Sequence, residues 1–395
     1  MARLPNVPDI TGQRPKSRRR TRTLLAIILS TLLVLGLGVG WFEARDRIGD
    51  QADQAAGKCV EGKADVPIIA SPDIAEALGE IAKRYNDTHP VVRDHCVNVQ
   101  VRAGDSRITV GALRGKWDTE AMGAYPAAWI PQSSIWAAEL AVGKPQDAQG
   151  APDSLVTSPV VLALPGTLAA KVRGKLAWGK LPALTQQSDA LAEYGLPAWG
   201  SLRLAMPTGA SSDATALAAQ AIAAGIARTP GQLTAAKVKT TAVTSGVNAV
   251  LSSAPKAPDG TAAATVSAMS KGDQRKGLHA VPITEQQLFQ VTKSTPEMAA
   301  KIRAARPGGA TPVADYPVVR LSGEQVSTAQ SDGVASFLEF AKQPAQIAVL
   351  TALGYRAARR PLPKGNASVV YRPVRRVLKT QPAAAVSINK LVYPS

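Results

Sequence analysis

Residues 66–85 read VPIIASPDIAEALGEIAKRY, and this stretch decides the class of fold. Its first five residues form an apolar run that predicts a short buried strand. Ser71 then stands in the N-cap position of a helix and Pro72 in its first turn. Ile74, Leu78, Ile81 and Tyr85 recur at helical spacing on one face. The folded part of the chain therefore begins with a strand followed directly by a helix.

The same alternation continues along the chain. Further strands are predicted at 96–101, 128–131, 160–164, 202–206, 278–283 and 316–321. Helices are predicted to open at 132–136, 213–227 and 284–288, and a closing helix at 333–352 is interrupted near Pro344. Strands that alternate with helices are typical of an α/β fold with mostly parallel sheets, and their number indicates two sheets and therefore two lobes.

Hydroxyl side chains gather where predicted strands pass into helices. Such junctions face ligands in open parallel sheets, because helix N-termini present free N–H groups and a favourable dipole for negative charge. We expect an oxyanion or a polar small molecule to bind there. The alternative is that these residues are ordinary helix caps. The candidate ligand-binding residues are Ser71, Ser133, Ser134, Thr208, Ser211, Ser212 and Thr284.

An uncharged run at 24–42 is long enough to cross a hydrocarbon core of about 30 Å. The basic flank at 16–22 predicts that the first 23 residues form a cytoplasmic basic tail. We expect an uncleaved, single-pass anchor with the main domain outside the membrane, followed by a polar stalk at 43–58. A cleaved signal peptide is the alternative, but the sequence after Phe42 offers no small-residue cleavage site.

The formal net charge of +17 is confined to the two ends of the chain. Residues 1–23 carry +6 and residues 340–395 carry +10, which leaves +1 for residues 24–339. Outside the membrane, the C-terminal block would meet anionic lipid headgroups or wall polymers. It would otherwise be a solvated tail or a linker. Nucleic acid is not an expected partner, because the main domain is expected outside the membrane and only 4% of the residues are aromatic.

The sequence offers little support for catalysis or for a metal site. The two cysteines, Cys59 and Cys96, are predicted to form a disulfide, since both lie on the extracytoplasmic side of the anchor. His89, His95 and His279 fall in no metal-ligand spacing. Nucleophile-elbow, phosphate-loop and paired-carboxylate motifs are absent from the sequence. We therefore expect no enzyme activity, no cofactor and no metal.

Three segments resemble bacterial extracellular solute-binding proteins with the two-lobed, type II periplasmic-binding fold. They are Ile68–Leu78, Ala128–Trp136, and the element from Phe337 to Phe340 that continues to Gly354-Tyr355-Arg356. The most similar members are membrane-anchored actinobacterial proteins, which often carry a von Willebrand A domain after the binding domain. This sequence has no Asp-x-Ser-x-Ser motif, so we expect no such domain here. It also has Gln132 where the family commonly has Asp.

The resemblance implies a hinged arrangement of two lobes. Lobe one comprises 59–159 plus 316–356, lobe two comprises 160–315, and 357–395 is a basic C-terminal extension. Ligand would sit between the lobes and be enclosed by hinge closure. Serines 71, 133 and 134 would face it from lobe one, and Ser211, Ser212 and Thr284 from lobe two.

Two functions remain open on this reading. The first is a membrane-anchored solute-binding protein that captures a small polar or anionic ligand, with a permease as its possible partner. The second is a cell-envelope scaffold or assembly protein that uses the same fold to bind a protein or wall polymer.

Overall fold

A computed structural model describes residues 59–229 and 231–394. The predicted cytoplasmic tail, membrane segment and stalk lie outside the described residues. Among the helices that are described, none is long and apolar enough to cross a membrane. The chain from Glu61 onward forms one compact unit. Both cysteines are disulfide-bonded, which confirms the prediction made from the sequence.

The described chain contains twelve strands, and most of them alternate with helices, whereas β2 and β3, β5 and β6, and β9 to β11 follow one another without a helix. The strands are β1 Lys63–Ala70, β2 Val91–Val92, β3 His95–Ala103, β4 Ala128–Ile130, β5 Ala148–Ser154, β6 Ser158–Pro165, β7 Gln232–Leu233, β8 Val281–Thr284, β9 Ile302–Ala305, β10 Val313–Ala314, β11 Pro317–Leu321 and β12 Lys379–Thr380.

The α-helices between them are mostly short. They are α1 Pro72–Asn86, α2 Ser106–Arg114, α3 Thr119–Met122, α4 Ser134–Gly143, α5 Gly166–Lys171, α6 Leu181–Gln186, α7 Asp213–Ile226, α8 Ala235–Val238, α9 Thr241–Ser252, α10 Ala262–Lys271, α11 Glu285–Lys293, α12 Pro296–Lys301, α13 Thr328–Ala341, α14 Pro344–Ala352 and α15 Pro382–Val392. Five 3-10 turns complete the set, at Pro145–Asp147, Trp178–Lys180, Ala190–Tyr194, Pro197–Trp199 and Pro258–Gly260.

The first sheet has six strands in the order β2-β3-β1-β4-β11-β5. Its centre is parallel, because β1 pairs in parallel with both β3 and β4. Strand β1 is covered on both faces, and Val66, Ile68 and Ile69 are fully buried. This burial explains why its sequence is an unbroken apolar run. The α/β class expected from the sequence is confirmed.

The second sheet is antiparallel, and here the expectation of mostly parallel sheets is wrong. Strand β6 lies between β10 and β8, it also pairs with β9, and all three partners run against it. A long helical connection lets the next strand enter the sheet in either direction, so alternating strands and helices do not by themselves make a sheet parallel. Here the chain leaves β6 for a long helical excursion before it returns as β8. The strand expected at 202–206 is reduced to a single bridge between Leu204 and Ala280.

The chain crosses twice between the two sheets. It leaves the first sheet after Ser154 and enters the second at Ser158. It returns between Ala314 and Pro317, and β11 then pairs with β4 and β5. Next to the first crossing, Thr157 is bridged to Arg356 through two backbone hydrogen bonds of 2.8 and 2.9 Å.

The C-terminal segment, residues 357–394, packs against both lobes. Strand β12 pairs in parallel with β7 of lobe two, and α15 packs against α4 of lobe one and against α7 and α8 of lobe two. On the lobe-one side, Asn389 donates to Glu139 at 2.9 Å, and the rings of Tyr393 and Trp136 lie 5.2 Å apart between centroids. Ala384 and Ile388 are fully buried in these contacts. The segment is thus part of the same folded unit as the two lobes.

This packing predicts that Ile388→Ala destabilises the whole unit. Removing a fully buried isoleucine side chain in a packed core typically costs about 2 to 5 kcal/mol. Urea unfolding followed by tryptophan fluorescence should show one transition with a lower midpoint. Lys390→Ala, on the exposed side of the same helix, is the control and should leave the midpoint unchanged. An unaltered midpoint for Ile388→Ala would show that α15 does not contribute to the stability of the lobes.

Candidate functional site

Helices from both lobes begin at the interface between the two sheets. Helix α1 follows β1 directly, α4 begins just after β4, and α11 follows β8 without a break. Helix α7 begins at Asp213, after the loop that contains the predicted site residues Thr208, Ser211 and Ser212. Hydrogen bonds bring these junctions together, because Gln132 contacts both Asp73 and Asp213, and Gln287 donates to the Ser211 carbonyl oxygen.

The Asp73 carboxylate, in the first turn of α1, collects three hydrogen bonds. Oδ1 accepts from Ser71 Oγ at 2.7 Å, and Oδ2 accepts from Gln132 Nε2 at 2.7 Å and from Tyr316 Oη at 2.5 Å. A fourth contact fixes its backbone, because Tyr355 Oη donates to the Asp73 carbonyl oxygen at 2.8 Å. All of these groups belong to lobe one.

A second carboxylate, that of Asp213, joins the two lobes. It lies in the first turn of α7 in lobe two, but both of its oxygens accept from lobe one. Ser133 Oγ donates to Oδ2 at 2.8 Å, and Trp136 Nε1 donates to Oδ1 at 2.8 Å. The side chains of Ser133, Trp136 and Asp213 are all buried. The carboxylate of the protein itself thus fills the place at the start of α4 where an external oxyanion was expected.

Gln132 connects the two carboxylate clusters. Its Nε2 donates to Asp73, and its Oε1 accepts from the backbone N–H of Asp213 at 2.9 Å. The residue is fully buried. An amide supplies the donor and the acceptor that this position requires, whereas an ionised Asp would offer acceptors only. The departure from the Asp of the resembling family therefore fits the two partners of Gln132.

The environment raises the pKa of both aspartates. Burial is the main cause for Asp73, and the hydrogen bonds from Tyr316, Ser71 and Gln132 oppose it. Burial likewise raises the pKa of Asp213 to about 7, against the opposing hydrogen bonds from Trp136 and Ser133. The nearby negative charge of Asp73 adds to that rise. Asp213 therefore changes its charge near neutral pH.

A third contact between the lobes is ionic. The buried Glu285 carboxylate, at the start of α11, accepts from Arg356 Nε at 3.0 Å and from an Arg356 terminal nitrogen at 2.5 Å. Its other oxygen accepts from Arg306 at 2.6 Å. Because two guanidinium groups surround it, the charge of Glu285 is compensated.

A cavity of about 360 Å³ remains between the lobes, beside Asp73. Lobe one contributes the start of α1, and lobe two contributes the first turns of α10 and α11 together with the loop before α7. Two buried side-chain atoms of residues in its wall, Ser211 Oγ and Gln286 Oε1, have no hydrogen-bond partner in the described chain. The lining residues are Pro72, Asp73, Ala210, Ser211, Thr261, Ala262, Ala263, Gln286, Gln287, Gln290 and Val291.

The seven residues proposed from the sequence fall into three groups. The first, Ser71 and Ser133, belongs to the carboxylate clusters. The second is at the cavity: Ser211 lines it, and Ser212 and Thr284 are buried beside lining residues, with Thr284 forming a capping box with Gln287. The third group is exposed. Ser134 is exposed, with its backbone N–H donating to Asp315 at 2.7 Å, and Thr208 is exposed outside the cavity lining.

Sequence reasoning missed Asp73, Asp213, Trp136 and Tyr316. An acid in the first turn of a helix ordinarily complements the helix dipole, so neither aspartate carries a distinguishing signal. Tyr316 was identified only as the start of a strand. Among the described residues, no group of three His, Cys, Asp or Glu could hold a metal ion.

The raised pKa of Asp213 predicts that stability falls as pH rises toward neutrality. The unfolded carboxyl ionises near pH 3.8, whereas the folded one keeps its proton until about pH 7. Between these values the folded state holds one proton more, so the free energy of unfolding decreases with pH by up to about 1.4 kcal/mol per unit.

Asp213→Asn removes this titration, so the variant should have a flatter profile in urea unfolding at pH 4.5, 5.5, 6.5 and 7.5. Asp73 and Asp315, whose pKa values are also raised, would supply the slope that remains. If the free energy of unfolding changed with pH equally in the wild type and the variant, the raised pKa of Asp213 would be contradicted.

Comparison with known proteins supports the reading of the fold. The chain is 36% identical over 337 residues to an uncharacterized protein of Mycobacterium tuberculosis strain H37Rv, which covers 85% of this chain and 48% of that protein. The chain thus spans about half the length of the curated relatives it matches.

Solved structures share the fold at low sequence identity. Iron-bound HitA from Pseudomonas aeruginosa superimposes with a TM-score of 0.55 at 13% identity, over 83% of this chain and 97% of that one. The ferric binding protein from Campylobacter jejuni gives a TM-score of 0.52 at 12% identity, over the same shares of the two chains.

These neighbours are two-lobed periplasmic binding proteins of type II, which confirms the fold expected from the sequence. The model of one protein family, described as bacterial extracellular solute-binding protein, matches residues 66–356. The chain belongs to the bacterial extracellular solute-binding protein family.

Proposed function

We propose that the protein is a membrane-anchored extracytoplasmic receptor that captures a small polar or anionic ligand between its lobes without transforming it. The observation that carries this proposal is the 360 Å³ cavity, because residues of both lobes line it. A ligand in that position contacts both lobes at once, so its binding favours the closed arrangement.

The walls of the cavity indicate the chemistry of the ligand. Three helices, α1, α10 and α11, present their first turns to it, and the N–H groups there favour anions and hydrogen-bond acceptors. Its lining contains no Lys or Arg, and its one carboxylate, that of Asp73, already accepts three hydrogen bonds, so we expect a ligand to be recognised through dipoles and neutral donors. Ser211 Oγ lies buried in the wall without a hydrogen-bond partner among the described residues, and we propose that it becomes such a donor when the lobes open and close on a ligand. We propose a compact polar molecule or monoanion of about amino-acid size.

The proposed location rests on the sequence. The uncharged run at 24–42 and its basic flank support a single-pass anchor with the lobes outside the membrane. The disulfide supports the same side, since such bonds persist in oxidising compartments. A permease or an envelope protein next to the anchor would be the partner.

One observation favours the scaffold as a second candidate function. The C-terminal segment packs against both lobes, and the Gln132, Ser133 and Trp136 contacts already hold Asp213 in place. These contacts restrain opening of the hinge. In a scaffold the lobes would stay closed whether or not a small molecule is present.

The receptor proposal predicts that Ala263→Phe abolishes ligand binding without unfolding the protein. Ala263 is exposed at the start of α10 and lines the cavity, so a phenyl ring there fills the space of the ligand. The measurement is a thermal-shift screen of the full-length chain in nanodiscs against oxyanions, amino acids, small carboxylates and sugars. A ligand at 100 times its Kd adds about 2.7 kcal/mol of stability.

The matched control is Ala264→Phe, which adds the same ring one position along and outside the lining. It should keep the thermal shift of the wild type. A hit that survives Ala263→Phe would place its ligand elsewhere, and a flat response across the panel would contradict the receptor proposal.

A distance measurement separates the two candidate functions. Spin labels attached through Lys116→Cys and Lys271→Cys occupy exposed positions on lobe one and lobe two, respectively. For a receptor, the ligand-free protein should populate a longer distance that shortens when the ligand identified by the screen is added. The same distance between the labels with and without the ligand would favour the scaffold.

A further inference from the structure

A second cavity, of about 580 Å³, lies in lobe two and shares no lining residue with the cavity between the lobes. Strand β6, helix α5 and strand β9 form three of its walls, and the C-terminal segment closes it. Its lining residues are Val161, Gly166, Ala169, Ala170, Val172, Arg173, Gly174, Leu176, Glu285, Arg303, Ala304, Ala305, Arg306, Ala367, Ser368, Val370 and Arg372. We refer to it as the arginine cavity.

The arginine cavity is strongly positive. Its lining has four arginines against one acid, Glu285, so its formal net charge is +3. Glu285 is already paired with Arg306 and with Arg356, which lies outside the lining. In the part of the chain that the structure describes, Arg173 and Arg372 form no ion pair. Their charges are therefore available to a ligand.

Two further arginines are held in position at the wall. Arg303 donates to the carbonyl oxygens of Ala299 and Ala300, at 2.6 and 3.0 Å, near the end of α12. Arg306 reaches the Pro373 carbonyl oxygen at 3.2 Å as well as Glu285. The Nε of Arg306 is buried and has no acceptor among the described residues. These contacts fix the two guanidinium groups at the wall before any ligand binds.

Apart from Ser368, the remaining lining is apolar. Val161, Val172 and Leu176 are buried core residues, and the alanines at 169, 170, 304 and 305 leave open space above them. Arginines beside an apolar floor suit a ligand with a charged head and an apolar body. A guanidinium group can donate two parallel hydrogen bonds to two oxygens of one phosphate. A phosphate has enough oxygens to accept from several guanidinium groups.

We propose that the arginine cavity binds a phosphate monoester that carries a short apolar substituent. Arg173, Arg303, Arg306 and Arg372 hold the phosphate, and the floor around Val172 and Leu176 holds the apolar part. The basic C-terminal segment supplies one of these arginines, Arg372, so part of its charge serves this site. The proposal concerns a separate site and does not depend on the ligand of the cavity between the lobes.

The probe ligand is butyl phosphate. Inorganic phosphate, which lacks the apolar part, and butanol, which lacks the phosphate, are the comparison compounds. All three are titrated by calorimetry into the full-length chain in phosphatidylcholine nanodiscs. Butyl phosphate should bind at least tenfold more tightly than either comparison compound. The double variant Arg173→Gln/Arg372→Gln should weaken binding at least tenfold, and Ala170→Trp, which fills the cavity from an exposed position, should abolish it.

Two controls match these variants. Arg320→Gln/Arg359→Gln removes the same charge from exposed arginines outside the cavity, and Thr167→Trp adds the same ring on α5 outside the lining. Both should bind butyl phosphate as the wild type does, and so should Ala263→Phe. Equal affinity for butyl phosphate and inorganic phosphate, or binding that survives Ala170→Trp, would overturn the proposal.

A final experiment tests whether the bound phosphate belongs to a lipid headgroup or to a soluble ester. Nanodiscs that contain phosphatidic acid should raise the melting temperature relative to pure phosphatidylcholine if a lipid headgroup is the natural occupant. The rise should vanish in the Arg173→Gln/Arg372→Gln variant. Binding of butyl phosphate without this rise supports the proposal with a soluble ester as the occupant.

Discussion

The hydrogen bonds of the Gln132 amide are the contact on which the arrangement of the two lobes depends. Its nitrogen donates to the Asp73 carboxylate of the same lobe, and its oxygen accepts from the Asp213 backbone N–H at the start of α7 in the opposite lobe. Around it, buried hydroxyl, indole and phenol groups satisfy both aspartates. Buried polar networks of this kind specify one geometry, because breaking a single member leaves the others without partners.

The same network explains why the anion-binding capacity of these junctions is only partly available to a ligand. At the start of α4, Ser133 and Trp136 are engaged by Asp213. In the loop before α7 and at the start of α11, the cavity wall still has one buried atom each without a partner in the described chain, Ser211 Oγ and Gln286 Oε1. One part of the interface therefore holds the lobes together, and the other part is where we propose that ligand binds. Glu285 and its two arginines add a further contact between the lobes.

Local features of the fold were predictable from the sequence, and contacts between distant residues were not. The apolar run at 66–70 and the cap at Ser71 mark β1 and α1, and Thr284 marks the start of α11, because these signals depend on neighbouring residues alone. The direction of the strands beside β6 depends on a long helical excursion, which no local pattern reveals. Asp213 resembles any acid at a helix start until Ser133, eighty residues earlier, is seen to donate to it. The arginine cavity likewise assembles residues from four separate parts of the sequence.

The C-terminal helix has a consequence for how the protein is made. Asn389 contacts Glu139 across a separation of 250 residues, and α15 packs against α4 and α7. Contacts between residues so far apart close late and slowly, because the entropy of a long loop must be lost before they form. A nascent chain lacks these contacts until α15 has been synthesised. Until then, the faces of α4 and α7 that α15 will cover remain exposed, and exposed apolar faces of this kind favour aggregation of incomplete chains.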